Sequence, residues 1–264
     1  MTAEHRPNAT GPLSPGQVET ALVEAFQHFH AGRLAEAEAL GLAVLSTVPS
    51  NPTAIQLLGI VAYRAERFPQ AIEWLEQTVA MLPNDPVARN NLGLAYRAQE
   101  RLADATRHLQ EALRLDPTYI VAHLNYATLL LKQRRIDEAL AHYDEALRRN
   151  PASGDLQCGL GVLLVERERH AEAVAPLREA LRINPGDLKA LGALGTALRC
   201  SGQLDAAEAL HRTALANNID VPNMLDGLGD VLKQRGRLSE AIGLYIDALK
   251  IHRDRAAAMG TPSC

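Results

Sequence analysis

Aromatic side chains are scarce, at 4% of 264 residues, so any core must be filled by small and aliphatic groups. Cysteine is scarcer still. Cys158, Cys200 and Cys264 stand far apart with no CxxC pair, which excludes a disulfide framework and points to free thiols in a reducing compartment. No charge sign dominates: the formal net charge is −4, which gives no overall electrostatic reason to bind DNA or RNA. No apolar run approaches membrane-spanning length, and residues 1–11 lack the apolar stretch of a signal peptide. These absences lead us to expect a soluble, cytoplasmic protein with no nucleic-acid partner and no membrane insertion.

The motifs of catalysis are missing as well. There is no HExxH, Walker A, nucleophile elbow or paired-cysteine motif. His28 and His30 are two apart and fall on different faces of a helix, a poor metal geometry. His108, His142 and His211 read as surface or partly packed residues. Gly159 and Gly161 imitate the start of a dinucleotide loop, but no strand precedes them. Cys158 and Cys200 read as small neutral fillers. Catalytic residues, cofactors and metals are therefore all expected to be none, and the chain is expected not to be an enzyme.

What is present is a period. Steps of 34 residues from Ala71 meet Ala37, Ala105, Ala139, Ala173, Ala207 and Ala241. The same step from Gly59 meets Ala25, Gly93, Ala127, Gly161, Gly195 and Gly229, and a third series runs from Val44 and Thr78 through Ala112 to Ala248. Prolines recur at 49, 83, 117, 151 and 185 before the series lapses. Within each unit apolar positions fall at i, i+3/i+4 and i+7, the helical period. Each unit thus reads as helix A, a turn and helix B, with small residues where the two cross and proline ending B. Gly32, Gly202 and Gly236 sit in the A–B turn, where a helix C-terminus needs a left-handed residue. Ser14, Pro15 and Gln17 form a capping box that starts the first helix.

On these residues the chain resembles the tetratricopeptide repeat family, most closely through Leu92, Gly93, Tyr96, Ala105, Leu109, Ala112 and Pro117. The large residue before the glycine is weak, and the family's phenylalanine position is Leu, Tyr or His. The resemblance implies an all-α, right-handed α-solenoid of seven tandem helix-turn-helix repeats starting near 18, 52, 86, 120, 154, 188 and 222. The solenoid is expected over 14–253, between a disordered leader (1–13) and a tail (254–264). It further implies a protein–protein interaction scaffold that binds an extended peptide or helix in its concave groove.

The groove-facing stripe of helix A follows positions 2, 5, 9, 12 and 13 of each repeat. Candidates there are Tyr63, Arg64, Asn90, Arg97, Lys132, Arg199 and Lys233, with Asn91 and Asn125 adjacent. Asn91 and Asn125 could form a short ladder, because a carboxamide both donates to and accepts from a peptide backbone. The alternative is that they cap or pack locally. The basic neighbours favour acidic or carboxylate-bearing ligands. A clamp for chaperone tails is not expected, since position 5 never carries Lys and position 9 never carries Asn.

The last repeat lacks a successor. Leu249 and Ile251 match Leu113/Leu115 and Leu181/Ile183 and would face the next helix A. At about 25 cal/mol per Å² of wet apolar surface such a face costs several kcal/mol. Three outcomes are consistent with this: the tail folds back as a cap, the face makes a homo-oligomer, or the chain is part of something longer. The opening repeats, from Ala31 to Pro83, also resemble those of bacterial proteins similar to O-GlcNAc transferases. That implies, as the alternative, the substrate-recognition region of a glycosyltransferase.

Overall fold

The chain is described from a computed structural model covering residues 13–258. Those residues form fourteen α-helices and no strand. The A helices are α1 (Pro15–His30), α3 (Pro52–Arg64), α5 (Pro86–Ala98), α7 (Ile120–Lys132), α9 (Gly154–Glu166), α11 (Leu188–Cys200) and α13 (Val221–Gln234). The B helices are α2 (Leu34–Thr47), α4 (Phe68–Met81), α6 (Leu102–Leu115), α8 (Ile136–Arg149), α10 (His170–Ile183), α12 (Leu204–Ala216) and α14 (Leu238–Ala258). They are the helix pairs of an all-α solenoid, grouped into two compact units, one up to Arg135 and one from Ile136.

Local chemistry sets the helix ends. Ser14 accepts from the Gln17 N–H while Gln17 Oε1 accepts from the Ser14 N–H, and Pro15 occupies the first turn. Asn51, Asp85, Ser153 and Asp187 cap later A helices by accepting from backbone N–H groups two or three residues on. The A–B turn takes a left-handed residue in every repeat. Gly32, Gly202 and Gly236 supply it freely, but Glu66, Glu100, Arg134 and Glu168 adopt it with a Cβ. The sequence flags only the three glycines.

The small-residue series explains the packing. All seven alanines from Ala37 to Ala241 are fully buried. Gly93 lies on Leu109, and a Cβ on it would come 2.8 Å from Leu109 Cγ. Gly161 is tighter, at 2.4 Å from Leu177 Cγ. Each B-helix side chain thus occupies the space that an A-helix glycine leaves vacant. Within each unit, successive A helices touch (α1 with α3, α3 with α5, α5 with α7; α9 with α11, α11 with α13), whereas successive B helices do not. The A helices therefore line the inner side of each unit.

Three expectations need correction. His108 and His211 are buried, at 7% and 4% exposure, and are core residues. Residues 254–258 continue α14 and do not begin a separate tail. Leu249 is 67% exposed but Ile251 is partly covered. Two residues apart on a helix means about 200° apart, so the two point to opposite sides. The open stripe is instead Leu238, Ile242, Ile246 and Leu249, at helical spacing on one face of α14. Residues 1–12 of the leader, the tail beyond Ala258 and Cys264 lie outside the described residues.

Candidate functional site

The groove candidates divide between the two units. In the first, Tyr63 packs against Phe68 with ring centroids 5.8 Å apart. Arg64, in the last turn of α3, lays its guanidinium over the Phe29 ring of α1 at 5.4 Å. Such a contact holds the cation at the surface without neutralising it. Lys132 is already paired with Glu100 at 2.6 Å. Arg97, in the last turn of α5, has no carboxylate partner among the described residues.

The asparagines are joined in an unexpected order. Asn125 Nδ2 on α7 donates to Asn90 Oδ1 on α5 at 2.8 Å, and Asn90 Nδ2 donates to Asn91 Oδ1 at 3.4 Å. Asn90 is the buried member, 2% exposed. Both of its carboxamide atoms are spent inside the protein. Among the described residues, Asn91 Nδ2 and Asn125 Oδ1 have no partner. One donor and one acceptor are therefore left on adjacent A helices, the pair a peptide unit requires. The sequence places Asn91 and Asn125 side by side; the linking role of Asn90 becomes visible only with the coordinates.

In the second unit Arg199 stands 3.8 Å from Asp230, too far for a hydrogen bond. Asp230 Oδ1 accepts from the Tyr245 hydroxyl at 2.8 Å. Lys233 is exposed and unpaired among the described residues, and lines a cavity of 460 Å³ with Arg199, Asp230 and Gln234. Cys158 is buried beside Asp187, and burial first, then that carboxylate, pushes its thiol up to about 12. It is not a nucleophile at neutral pH. Among the described residues no group of His, Cys, Asp or Glu could hold a metal ion, and no helix is long and apolar enough to cross a membrane.

A feature that the helical stripe did not single out is Glu208, 5% exposed on α12. It takes Arg237 at 3.1 Å and Arg235 at 3.2 Å, and Arg212 of its own helix closes on it as well. One 34-residue series runs through Glu38, which pairs bidentately with Arg67 at 2.8 Å, to Glu208. The same register carried both pairs, so the signal was present in the sequence. These ion pairs tie a B helix to the A–B turn of the following repeat.

Comparison with known proteins agrees with this geometry. The profile of the tetratricopeptide repeat family matches residues 57–120, 124–187 and 193–258, and a second profile of that family matches 18–40. No curated protein matches the sequence. Among solved structures, the tetratricopeptide protein TTC0263 of Thermus thermophilus is 25% identical with a TM-score of 0.58, covering 69% of this chain and 98% of that one. YrrB, described as having an unusual peptide-binding site, is 22% identical with a TM-score of 0.56 over 70% of this chain and 96% of its own. The pilF protein of Pseudomonas aeruginosa is 16% identical with a TM-score of 0.63, over 78% and 94%. With matched segments covering well over half of its length, the chain belongs to the tetratricopeptide repeat family.

Proposed function

We propose that this protein is an interaction scaffold that grips an extended peptide along its A helices, with the first unit as the principal site. The observation that carries this reading is the Asn125–Asn90–Asn91 chain, which leaves one carboxamide donor and one acceptor free beside the unpaired Arg97. A backbone peptide unit satisfies the carboxamides, and an acidic side chain or chain terminus satisfies Arg97. Proteins of this family generally mediate protein–protein interaction, and YrrB, of the same fold, has a peptide-binding site of its own. The test uses a peptide selected from a random library on the immobilised protein. Replacing Asn91 and Asn125 together by Ala is expected to weaken its binding at least about tenfold, the worth of one to two hydrogen bonds. Unchanged affinity would remove the carboxamide grip.

A second association is favoured by α14. Of the positions equivalent to Leu249, Val79 is buried and Leu215 packs into a cluster with Met224 of the following A helix. Leu249, Ile242, Ile246 and Leu238 are open. The exposed residues of α1 are mainly polar (Gln17, Glu19, Thr20, Glu24 and Gln27), so stacking α14 against α1 of another copy matches the stripe poorly. Two copies meeting through the same stripe about a two-fold axis bury it on both sides. Light scattering should give twice the protomer mass, and the monomer mass for Ile242→Glu combined with Leu249→Glu. An equal mass for the two proteins would contradict the contact.

A further inference from the structure

One core position departs from its series. Steps of 34 residues put Leu75, Leu109, Tyr143, Leu177, His211 and Tyr245 at the same place on helix B. His211 is 4% exposed, and its Nδ1 is buried with no hydrogen-bond partner. Burial first, then Arg199, lowers its pKa and keeps the ring neutral. A leucine would fill this place without an unpaired polar atom, as at Leu177.

The neighbours show what the histidine leaves open. Its Cε1–Nε2 edge lies between two glycines: a Cβ on Gly195 would fall 2.8 Å from Nε2, and one on Gly227 equally 2.8 Å. In the same unit Tyr143 meets the equivalent glycine, Gly159, where a Cβ would fall 2.7 Å from the phenol oxygen. There a phenol fills the slot from within. The imidazole edge sits as close to its two glycines, but the ring is shorter than a phenol, and beside it lies a cavity of 210 Å³ between α11 and α13, on the inner side of the unit. Leu188 and Met224 give this cavity its apolar lining, and Nε2 has no partner among the described residues.

Charge narrows the occupant. Arg199, Asp220 and Asp230 all line the cavity. Asp220 already accepts from Asn223 Nδ2 at 2.8 Å, and Asp230 from the Tyr245 hydroxyl at 2.8 Å. An entering carboxylate meets two acids, and an entering ammonium meets Arg199 together with two acids that each already hold a donor. A neutral group with an apolar body and one hydrogen-bonding atom meets neither penalty. At 210 Å³ the space suits one side chain, below the size of ordinary small-molecule pockets.

We propose that this cavity is an anchor subsite for a neutral aromatic side chain of a bound peptide, a phenol or an indole. Its ring lies in the cavity against the Cε1–Nε2 edge of the imidazole, and its O–H or N–H donates to His211 Nε2. The ligand's being a peptide rests on the groove reading above. The site itself is in the other unit and is tested separately from Asn91 and Asn125.

The experiment follows the methyl resonance of Met224 in protein carrying isotope-labelled methionine methyl groups, with Met81 on α4 as the internal reference. N-acetyltyrosinamide and N-acetyltryptophanamide are titrated in turn, which separates phenol from indole. At least one is expected to shift Met224 upfield and saturably at millimolar concentration, leaving Met81 in place. N-acetylphenylalaninamide should bind several-fold more weakly than the preferred probe, and His211→Leu should abolish that preference. His211→Tyr plugs the slot from within, so it should keep or raise the melting temperature and weaken binding at least tenfold. No saturable shift in the wild type, or equal binding by the His211→Tyr protein, would overturn the subsite. Stronger binding of N-acetylglutamate than of either ring probe would make it an anion site and overturn it too.

Discussion

Replacing Leu109 with Ala is expected to remove about 2–5 kcal/mol of stability. Leu109 is fully buried and fills the space above Gly93, so the shorter side chain leaves a cavity between α5 and α6. The backbones can close that gap only by moving Ala105, whose carbonyl oxygen would already lie 3.4 Å from a Cβ on Gly93. In a repeat array the loss falls mainly on the altered repeat and its neighbours. Urea denaturation should show the full drop, and hydrogen exchange should show α5, α6 and α7 opening first. Leu42→Ala, at a site 48% exposed, is the control and should change stability by less than about 0.5 kcal/mol. A Leu109→Ala loss as small as the control's would mean that the A–B crossing is not tightly packed.

Acidification should be the second large effect. His108 is 7% exposed and stacked on Tyr96, with centroids 5.4 Å apart. Burial first, then the neighbouring Arg107 and Arg89, lowers its pKa to about 4 from 6.5. Below pH 6.5 the unfolded chain takes up a proton that the folded protein refuses, so stability is full above 6.5 and falls as the pH drops toward 4. The expected loss from His108 by pH 4.5 is about 2 kcal/mol. His211 shifts in the same direction. Three of the six equivalent positions carry leucine (Leu40, Leu210 and Leu244), so His108→Leu suits the fold and should flatten the profile between about pH 6.5 and 4.5. Urea midpoints that fall equally in both proteins would assign the acid sensitivity elsewhere.

The fold was legible because repetition makes small residues informative. A single alanine at a helix crossing says nothing, but seven at one spacing say that seven pairs of backbones come close. The capping box at Ser14 and the left-handed Gly32, Gly202 and Gly236 were legible for a similar reason, since each needs one residue type for one backbone geometry. The left-handed Glu66, Glu100, Arg134 and Glu168 were not, because a helix pair held by its core imposes the turn on whatever residue is there.

The site was legible in part. Helical spacing put Asn91, Asn125 and Arg97 on the inner side, yet it could not show that Lys132 is spent on Glu100 or that Asn90 bridges two helices. Those are long-range side-chain contacts between repeats, and a period carries no information about them. His211 shows the opposite case. Its polar departure from a leucine and tyrosine series was readable in the sequence, but only the glycines at 195 and 227 and the cavity beside them give it a consequence. Leu249 and Ile251 were grouped because their equivalence to Leu113/Leu115 and Leu181/Ile183 was read without the roughly 200° between two such residues.

The central claim is that ligands are held on the A helices. It is tested most directly by placing a photo-crosslinking amino acid at position 97 on α5 and, separately, at position 107 on α6, an outer B-helix site whose side chain is 68% exposed. Irradiation with the library-selected peptide should give an adduct from position 97 and none from position 107. Adducts from position 107 with none from position 97 would contradict the account.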